Sequence, residues 1–275
     1  TRLGHGYSVH GITGSLGWAA APIFVVSIAR LTDWRVALAS AALLGAIVLL
    51  ILFLYRDRLE CGRKAHAAAS PGPARDTFTF LRLPAVWTCF LFFFAYAVSL
   101  SAMQTFAPAA ARLLHDVPVA LAAVSLSIYM ATAAGGMMIG GFLLADPARS
   151  ERLVAAGFGI AAVVALLIGL GHWPAYVVLV MFGVMGLGAG IAGPSRDLLV
   201  KQATPENATG RVYGVVYSGL DVGAALAPAI FGALMDQRLP AGVFMGMALF
   251  QGLMIVSAIN VKRFGRLRPA KAATA

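Results

Sequence analysis

Residues 189–236 read AGIAGPSRDLLVKQATPENATGRVYGVVYSGLDVGAALAPAIFGALMD. A Gly-rich apolar segment closes on Gly193-Pro194-Ser195-Arg196-Asp197 and a short basic loop follows. A second apolar segment then carries one acid, Asp221, near its middle. The pattern is that of two membrane helices joined on a positively charged side. An ionisable residue inside such a helix costs roughly 2.5 kcal/mol or more on insertion scales, so it marks a functional site by default.

The rest of the chain shares this character. Its 275 residues are 60% hydrophobic and 12% charged, with a mean hydropathy of +0.84. A soluble domain is about 45–50% apolar and about 25% charged. The composition excludes an ordinary soluble fold and predicts an all-α, polytopic transmembrane helical bundle. The net charge of +10 is no argument for nucleic acid, because the basic residues sit where the positive-inside rule puts them. Cys61 lies in a polar loop and Cys89 in an apolar helix, so neither a disulfide framework nor a reactive pair is expected. The chain opens on Thr1 and has no signal-peptide layout, and its natural start is expected to lie upstream.

Eight segments are apolar over the about 20 residues that a spanning helix needs. They are 9–29, 35–55, 84–108, 119–145, 153–171, 174–194, 212–235 and 240–261. Pro and Gly punctuate the joins, at Asp116-Val117-Pro118, Asp146-Pro147, His172-Trp173-Pro174 and Leu239-Pro240. The one long hydrophilic connection, 56–83, holds Arg56, Arg58, Arg63, Lys64, Arg75 and Arg82 around the small, flexible run AHAAASPGPA. With that connection and the N-terminus on one face, seventeen of the 21 Lys and Arg residues fall on it; Arg30, Arg35, Arg112 and Arg238 fall on the other. Both termini, the linker and the 195–211 loop are therefore expected in the cytoplasm.

A shift of 206 residues aligns GHGYSVHGITGSLGWAAAP (4–22) with GRVYGVVYSGLDVGAALAP (210–228). Gly4, Tyr7, Val9, Gly17, Ala19, Ala21 and Pro22 meet identical residues. The two segments are the first and seventh spans and run the same way, which is a parallel repeat with a period of six spans. On that period the first half shows only its last two spans, and four are expected before Thr1. The expected domains are 1–55, the last two helices of an N-terminal bundle; 56–83, a cytoplasmic linker; 84–261, a six-helix C-terminal bundle; and 262–275, a basic cytoplasmic tail.

The chain then resembles the major facilitator superfamily, from the fifth span to the twelfth of a twelve-span member. Gly140-Gly141-Phe142-Leu143-Leu144-Ala145-Asp146, followed by Pro147-Ala148-Arg149-Ser150-Glu151-Arg152, is similar to the family's loop motif of glycine, small residue, Asp and basic residues. The glycine-to-Asp spacing is one residue longer here. Gly17-Trp18-Ala19-Ala20-Ala21-Pro22 resembles the fifth-span motif of proton-coupled antiporters, with Ala21 in place of a Gly and Val25-Val26 in place of the last Gly pair. Asp33-Trp34-Arg35 at the outer start of the next span and the basic linker also fit. The resemblance implies a secondary active transporter with eight of its spans present.

Asp221 is the leading candidate for proton coupling or substrate binding. About ten residues into its helix, it is about 15 Å from the cytoplasmic end, near the middle of a roughly 30 Å core. A carboxyl at that depth can take up a proton on one side and release it on the other; the alternative is a structural hydrogen bond to a neighbouring helix. Tyr217 is one turn away on the same face, and Ser218 is beside it. Tyr96, Ser99, Ser101, Gln104, Ser125, Ser127, Tyr129 and Gln251 are further polar residues of the spans, open to cavity lining or to hydrogen bonds between helices. Phe90, Phe92, Phe93 and Phe94 suit an apolar pocket or lipid contact. Gly141, Asp146, Arg149 and Arg152 form a candidate cytoplasmic gate, in which a carboxylate pairs with Arg in one conformation only. Arg196 and Asp197 suit an interfacial network, and His5 and His10 a solvated helix mouth.

Gly136 and Gly140, Gly186 and Gly190, and Gly219 and Gly223 are Gly-x-x-x-Gly pairs, which let helices approach closely. Gly183, Gly188 and Gly193 add to the run, which has no P-loop Lys. Asn207-Ala208-Thr209 matches a glycosylation sequon on the cytoplasmic face and is read as coincidence. There is no metal-ligand cluster, no nucleophile elbow and no useful Cys/His pair, so no cofactor is expected.

The expected function is proton-coupled transport of a small molecule by alternating access, leaning to efflux by antiport on the Gly17, Ala21, Pro22 motif. The alternatives are uptake by proton symport, a truncated transporter without activity, and an intramembrane enzyme, which would need a partner for Asp221. The expected partners are the substrate, the proton and the lipid bilayer; the complete chain is expected to be a monomer in a bacterial inner membrane.

Overall fold

Pro108 decides the shape of the longest helix. Proline has no N–H for the carbonyl four residues back, and its ring pushes against that carbonyl. In the computed structural model of the chain, residues 27–59, 83–143, 150–203 and 209–266 are described, together with Thr13, Gly14, Gly17, Ala20, Ala21, Phe24, Val25 and Leu81. The helix expected to end at Pro108 does not end there. It runs as α2 (Pro84–Ser101), widens into a π turn over Ala102–Phe106, and continues as α3 (Ala107–His115). The Ala107 N–H reaches back five residues to the Ala102 carbonyl, which makes room for the ring one residue later. Before this pair comes α1 (Trp34–Leu54). After it come α4 (Val119–Leu143), α5 (Ser150–Leu170), α6 (Ala175–Ala203), α7 (Thr209–Asp236) and α8 (Pro240–Arg266).

Seven of these stretches are long and apolar enough to cross a membrane: Trp34–Leu54, Pro84–His115, Val119–Leu143, Ser150–Leu170, Ala175–Ser195, Val212–Asp236 and Pro240–Asn260. The described residues contain no strand. The chain is an all-α integral membrane protein with several spans. Most of the expected first span, 9–29, lies outside the described residues, as do most of 4–22 and hence that half of the repeat.

The chain divides into two compact units, with Gly14–Thr79 in one and Phe80–Ala275 in the other. In the first, Asp33 caps α1 by accepting from the Trp34 N–H at 2.6 Å. Arg35 lies over the Trp34 ring at one end, and Arg56 over Phe53 at the other. Basic and aromatic residues at both ends of a 21-residue helix, about 32 Å long, suit the two membrane interfaces. Of the α1 side chains only Ala37 is buried.

In the second unit α2 packs against α7 and α8, α6 packs against α4 and α5, and α5 packs against α8. Exchanging the first three spans for the last three maps these pairings onto one another. Spans one and four of the unit run in opposite directions, so this is an inverted repeat about an axis in the membrane plane. Two cores fill it. One gathers Met103, Ile168, Phe182, Met185, Phe231, Phe244 and Met247; the other gathers Phe92, Phe93, Phe158, Val216 and Met254.

The three Gly-x-x-x-Gly pairs set the closest crossings. A Cβ on Gly186 would meet the Tyr129 carbonyl, and one on Gly190 the Ala133 carbonyl. From the other side, a Cβ on Gly136 or Gly140 would meet the Leu187 or Ile191 carbonyl. The two motifs interlock at the α4–α6 crossing. At the α2–α7 crossing a Cβ on Gly219 would lie 2.6 Å from the Phe90 carbonyl oxygen and one on Gly223 2.5 Å from that of Phe94. Backbone meets backbone at each point, so moving a side chain aside cannot relieve the contact. Gly190→Ala should therefore destabilise the fold by about 1–3 kcal/mol. Gly252→Ala, at a position with open space around the built Cβ, should be neutral or gain up to about 1 kcal/mol of helix propensity. Thermal unfolding in detergent ranks the two, and equal midpoints would contradict this packing.

Candidate functional site

An α-helix surrounded by apolar surface can hold a charged side chain only on a face that it does not pack. The packed side of α7 is fixed by Gly219, Gly223, Ala227 and Phe231, all buried, which recur every four residues. Asp221, Val222, Ala224, Ala225, Leu226, Pro228, Ala229 and Ile230 are exposed. Asp221 thus stands on the open side of the helix, nine residues past Val212 in the Val212–Asp236 span, or about 14 Å along it.

Two features add polarity near this carboxyl. Tyr217, one turn earlier, is half-buried; it stacks on Tyr213 with ring centroids 5.6 Å apart and meets the Phe93 ring of α2 at 4.7 Å. Asp221 therefore continues a line of two tyrosines up one side of the helix. On its other side, Pro228 has no N–H, so the Ala224 carbonyl has no helical donor. Asp221, Ala225 and Pro228 recur at the four- and three-residue spacing of one helix face. A carboxyl on an open face suits a proton or another cation.

The other expected residues lie elsewhere. Ser218 donates to the Val215 carbonyl of its own helix at 2.7 Å. Gln251, on α8, is buried and its Nε2 donates to Ser99 Oγ of α2 at 3.3 Å; its Oε1 meets no donor. Tyr96 faces the Phe158 ring of α5 at 6.4 Å. Tyr129 is buried within α4, where its own carbonyl faces Gly186. Gln104 is half-buried in the π turn. Ser125 donates to the Ala122 carbonyl at 2.7 Å. Phe92 and Phe93 are buried in the bundle, while Phe90 and Phe94 are half-buried beside Gly219 and Gly223.

Of the gate residues, Gly141 is buried near the end of α4 and Arg152 is exposed in the first turn of α5. Asp146 and Arg149 lie outside the described residues, as do Pro22, His5, His10 and Asn207. Gly17 and Ala21 are helical and exposed. Among the described residues no three His, Cys, Asp or Glu side chains gather as metal ligands.

Sequence reading did not find the contact between the end of α3 and the α5–α6 connection. Trp173 N–H donates to His115 Nδ1 at 3.3 Å and His172 Nδ1 meets the Leu114 carbonyl at 3.0 Å. Separation of 58 residues and only one histidine on each side leave no local pattern to detect.

The Gln251 side chain carries its own test. Its Oε1 is buried without a donor, and such a group costs about 1–3 kcal/mol. Gln251→Leu should leave the thermal midpoint unchanged or raise it; a clear fall would show that Gln251 makes a stabilising network.

The major facilitator superfamily profile matches residues 1–228. No curated protein and no solved structure matches the chain. The match spans most of the sequence, from the first unit through the α7 segment that carries Asp221 and Pro228, and the chain belongs to the major facilitator superfamily of secondary transporters.

Proposed function

We propose that the protein is a proton-coupled secondary transporter of a small molecule, with Asp221 as the group that carries the proton. The observation behind this reading is the position of Asp221 on the open face of α7, deep in a membrane span. The sequence places no Lys or Arg in the middle of any span. The charge of an ionised Asp221 therefore has no basic side chain at its own depth to balance it, and isolated charge in an apolar medium is costly. A proton balances it, and so does a cationic group of a substrate. Alternating access of this face to the two sides turns the exchange into transport.

Efflux by antiport is favoured over uptake by symport on the Gly17, Ala21, Pro22 motif alone. The charge bias supports a cytoplasmic position for both termini, and the membrane of this reading is a bacterial inner membrane. We further propose that Gly141, Asp146, Arg149 and Arg152 form a cytoplasmic gate in the same cycle.

The test is transport by the full-length chain in proteoliposomes, screened with cationic, neutral and anionic compounds. Asp221→Asn should cut gradient-driven movement by about tenfold or more, while substrate exchange without a gradient persists. Movement against an inward proton gradient identifies antiport, and movement with it symport. Unchanged gradient-driven transport in the variant would remove Asp221 from the mechanism.

A further inference from the structure

The two histidines at the end of the unit away from the 144–149 and 204–208 loops form a reciprocal clasp. His115 is the last residue of α3 and is 3% exposed. Its Nδ1 accepts from the Trp173 backbone N–H at 3.3 Å. His172 reaches the other way, with Nδ1 3.0 Å from the Leu114 carbonyl, and the two rings lie 5.8 Å apart. The far side of the clasp is held firmly. The Trp173 indole donates to the Leu167 carbonyl at 2.8 Å, the Gly171 N–H donates to the same carbonyl at 3.0 Å, and a Cβ on Gly171 would strike the indole. The near side is a nine-residue half-helix. The π turn Ala102–Phe106 and Pro108 stand at its base, and Asp116, in the left-handed conformation at φ 52°, ends it. π turns and prolines are where helices bend.

The direction of each bond fixes the protons. A backbone N–H only donates, so His115 Nδ1 carries no proton in this structure. The proton of the neutral ring is then on Nε2, which is buried with no acceptor at hydrogen-bond geometry; the backbone carbonyl acting on the ring is that of Ile168. A carbonyl only accepts, so His172 Nδ1 donates, and it can do so both as the neutral ring and as the imidazolium. The two histidines thus respond oppositely to acid. Protonating His172 leaves its bond in place. Protonating His115 puts N–H against N–H and breaks the bond to Trp173.

We propose that His115 is a proton-operated catch, closed on Trp173 when neutral and released when protonated, which frees α3 to bend at the π turn. The contribution of the bond to holding α3 is full above the titration of His115 and is lost as pH falls through it. The charged or titratable groups acting on the ring are His172 from the connection and Asp116 from its own turn. Arg112, one turn back, is exposed. The halves of α4, α5, α6 and α8 at this end contain no charged side chain, and their titratable groups are the exposed Tyr176 of α6 and the buried Tyr129 of α4. On the orientation proposed above the catch faces the outside and so senses the external proton concentration; the bond logic does not depend on that orientation or on transport.

The test is hydrogen exchange of the full-length protein in nanodiscs, between about pH 8 and about pH 4.5, an interval that reaches below the ordinary histidine range, corrected for the intrinsic pH dependence of exchange. Native protein should lose protection about tenfold at the Trp173 amide and in the 107–115 segment on acidification. His115→Asn keeps an acceptor oxygen where Nδ1 stands and does not titrate, so its protection should stay high at both pH values. His172→Asn should keep the native response. A response that survives in His115→Asn, or that vanishes in His172→Asn alone, overturns the proposal. Selective 15N-histidine labelling of the native chain asks the same question without a substitution. The His115 ring must titrate over the interval in which Trp173 loses protection, and titration outside that interval overturns it as well.

Discussion

The fold rests on direct contact between helix backbones. In a bilayer the lipid is as apolar as the helix surface, so burying leucine gains little and close packing carries the association. Here that packing is made where a missing Cβ lets one helix touch the carbonyls of the next: Gly186 and Gly190 against α4, Gly136 and Gly140 against α6, and Gly219 and Gly223 against α2. Gly157 and Gly188 do the same between α5 and α6. The inverted repeat of the six-helix unit is the pattern these crossings leave, with α6 held to α4 and α5 as α2 is held to α7 and α8.

The same crossings settle which side of α7 is open. Gly219 and Gly223 are seated on α2 at Phe90 and Phe94, so the opposite side, with Asp221, Ala225 and Pro228, faces away from the bundle. An acid at that depth costs roughly 2.5 kcal/mol or more on insertion scales. The aromatic contacts of Tyr217 with Tyr213 and Phe93 fix the turn before it, so the carboxyl is carried on a rigid support. Several polar groups of the unit are instead engaged within the protein: the Gln251 Nε2 with Ser99, and Ser125 and Ser218 with their own helices.

Much of this architecture was legible in the sequence because the bilayer makes it so. Spans must be apolar and about 20 residues long, and seven of the eight expected segments correspond to helices long enough to cross. The paired glycines could be read as crossings because few other uses for that spacing exist in an apolar helix. The continuation of α2 past Pro108 was not legible, because a proline in an apolar run signals a stop and only the π turn at Ala102–Phe106 overrides it. Nor was the direction of each polar side chain. Tyr96, Tyr129 and Gln251 have the residue types of a cavity lining, and which way each points depends on helix rotations set by the glycine contacts far along the chain. Asp221 was easier, because it is the one acid in the middle of a span. The pairing of His115 with Trp173 joins two chain ends whose local sequences give no hint of each other.

On the proposed function, the Asp221 face of α7 opens in turn to the two sides of the membrane. A direct test leaves Asp221 intact and places a single thiol at Ala225, one turn away on that face, with Cys61→Ser and Cys89→Ala removing the native thiols. A membrane-impermeant reagent is applied from either side of reconstituted vesicles, with the proton gradient imposed in each direction. Labelling is expected from both sides, with the favoured side exchanged when the gradient is reversed. A thiol that reacts from neither side under any gradient would put this face against lipid and rule out alternating access at Asp221.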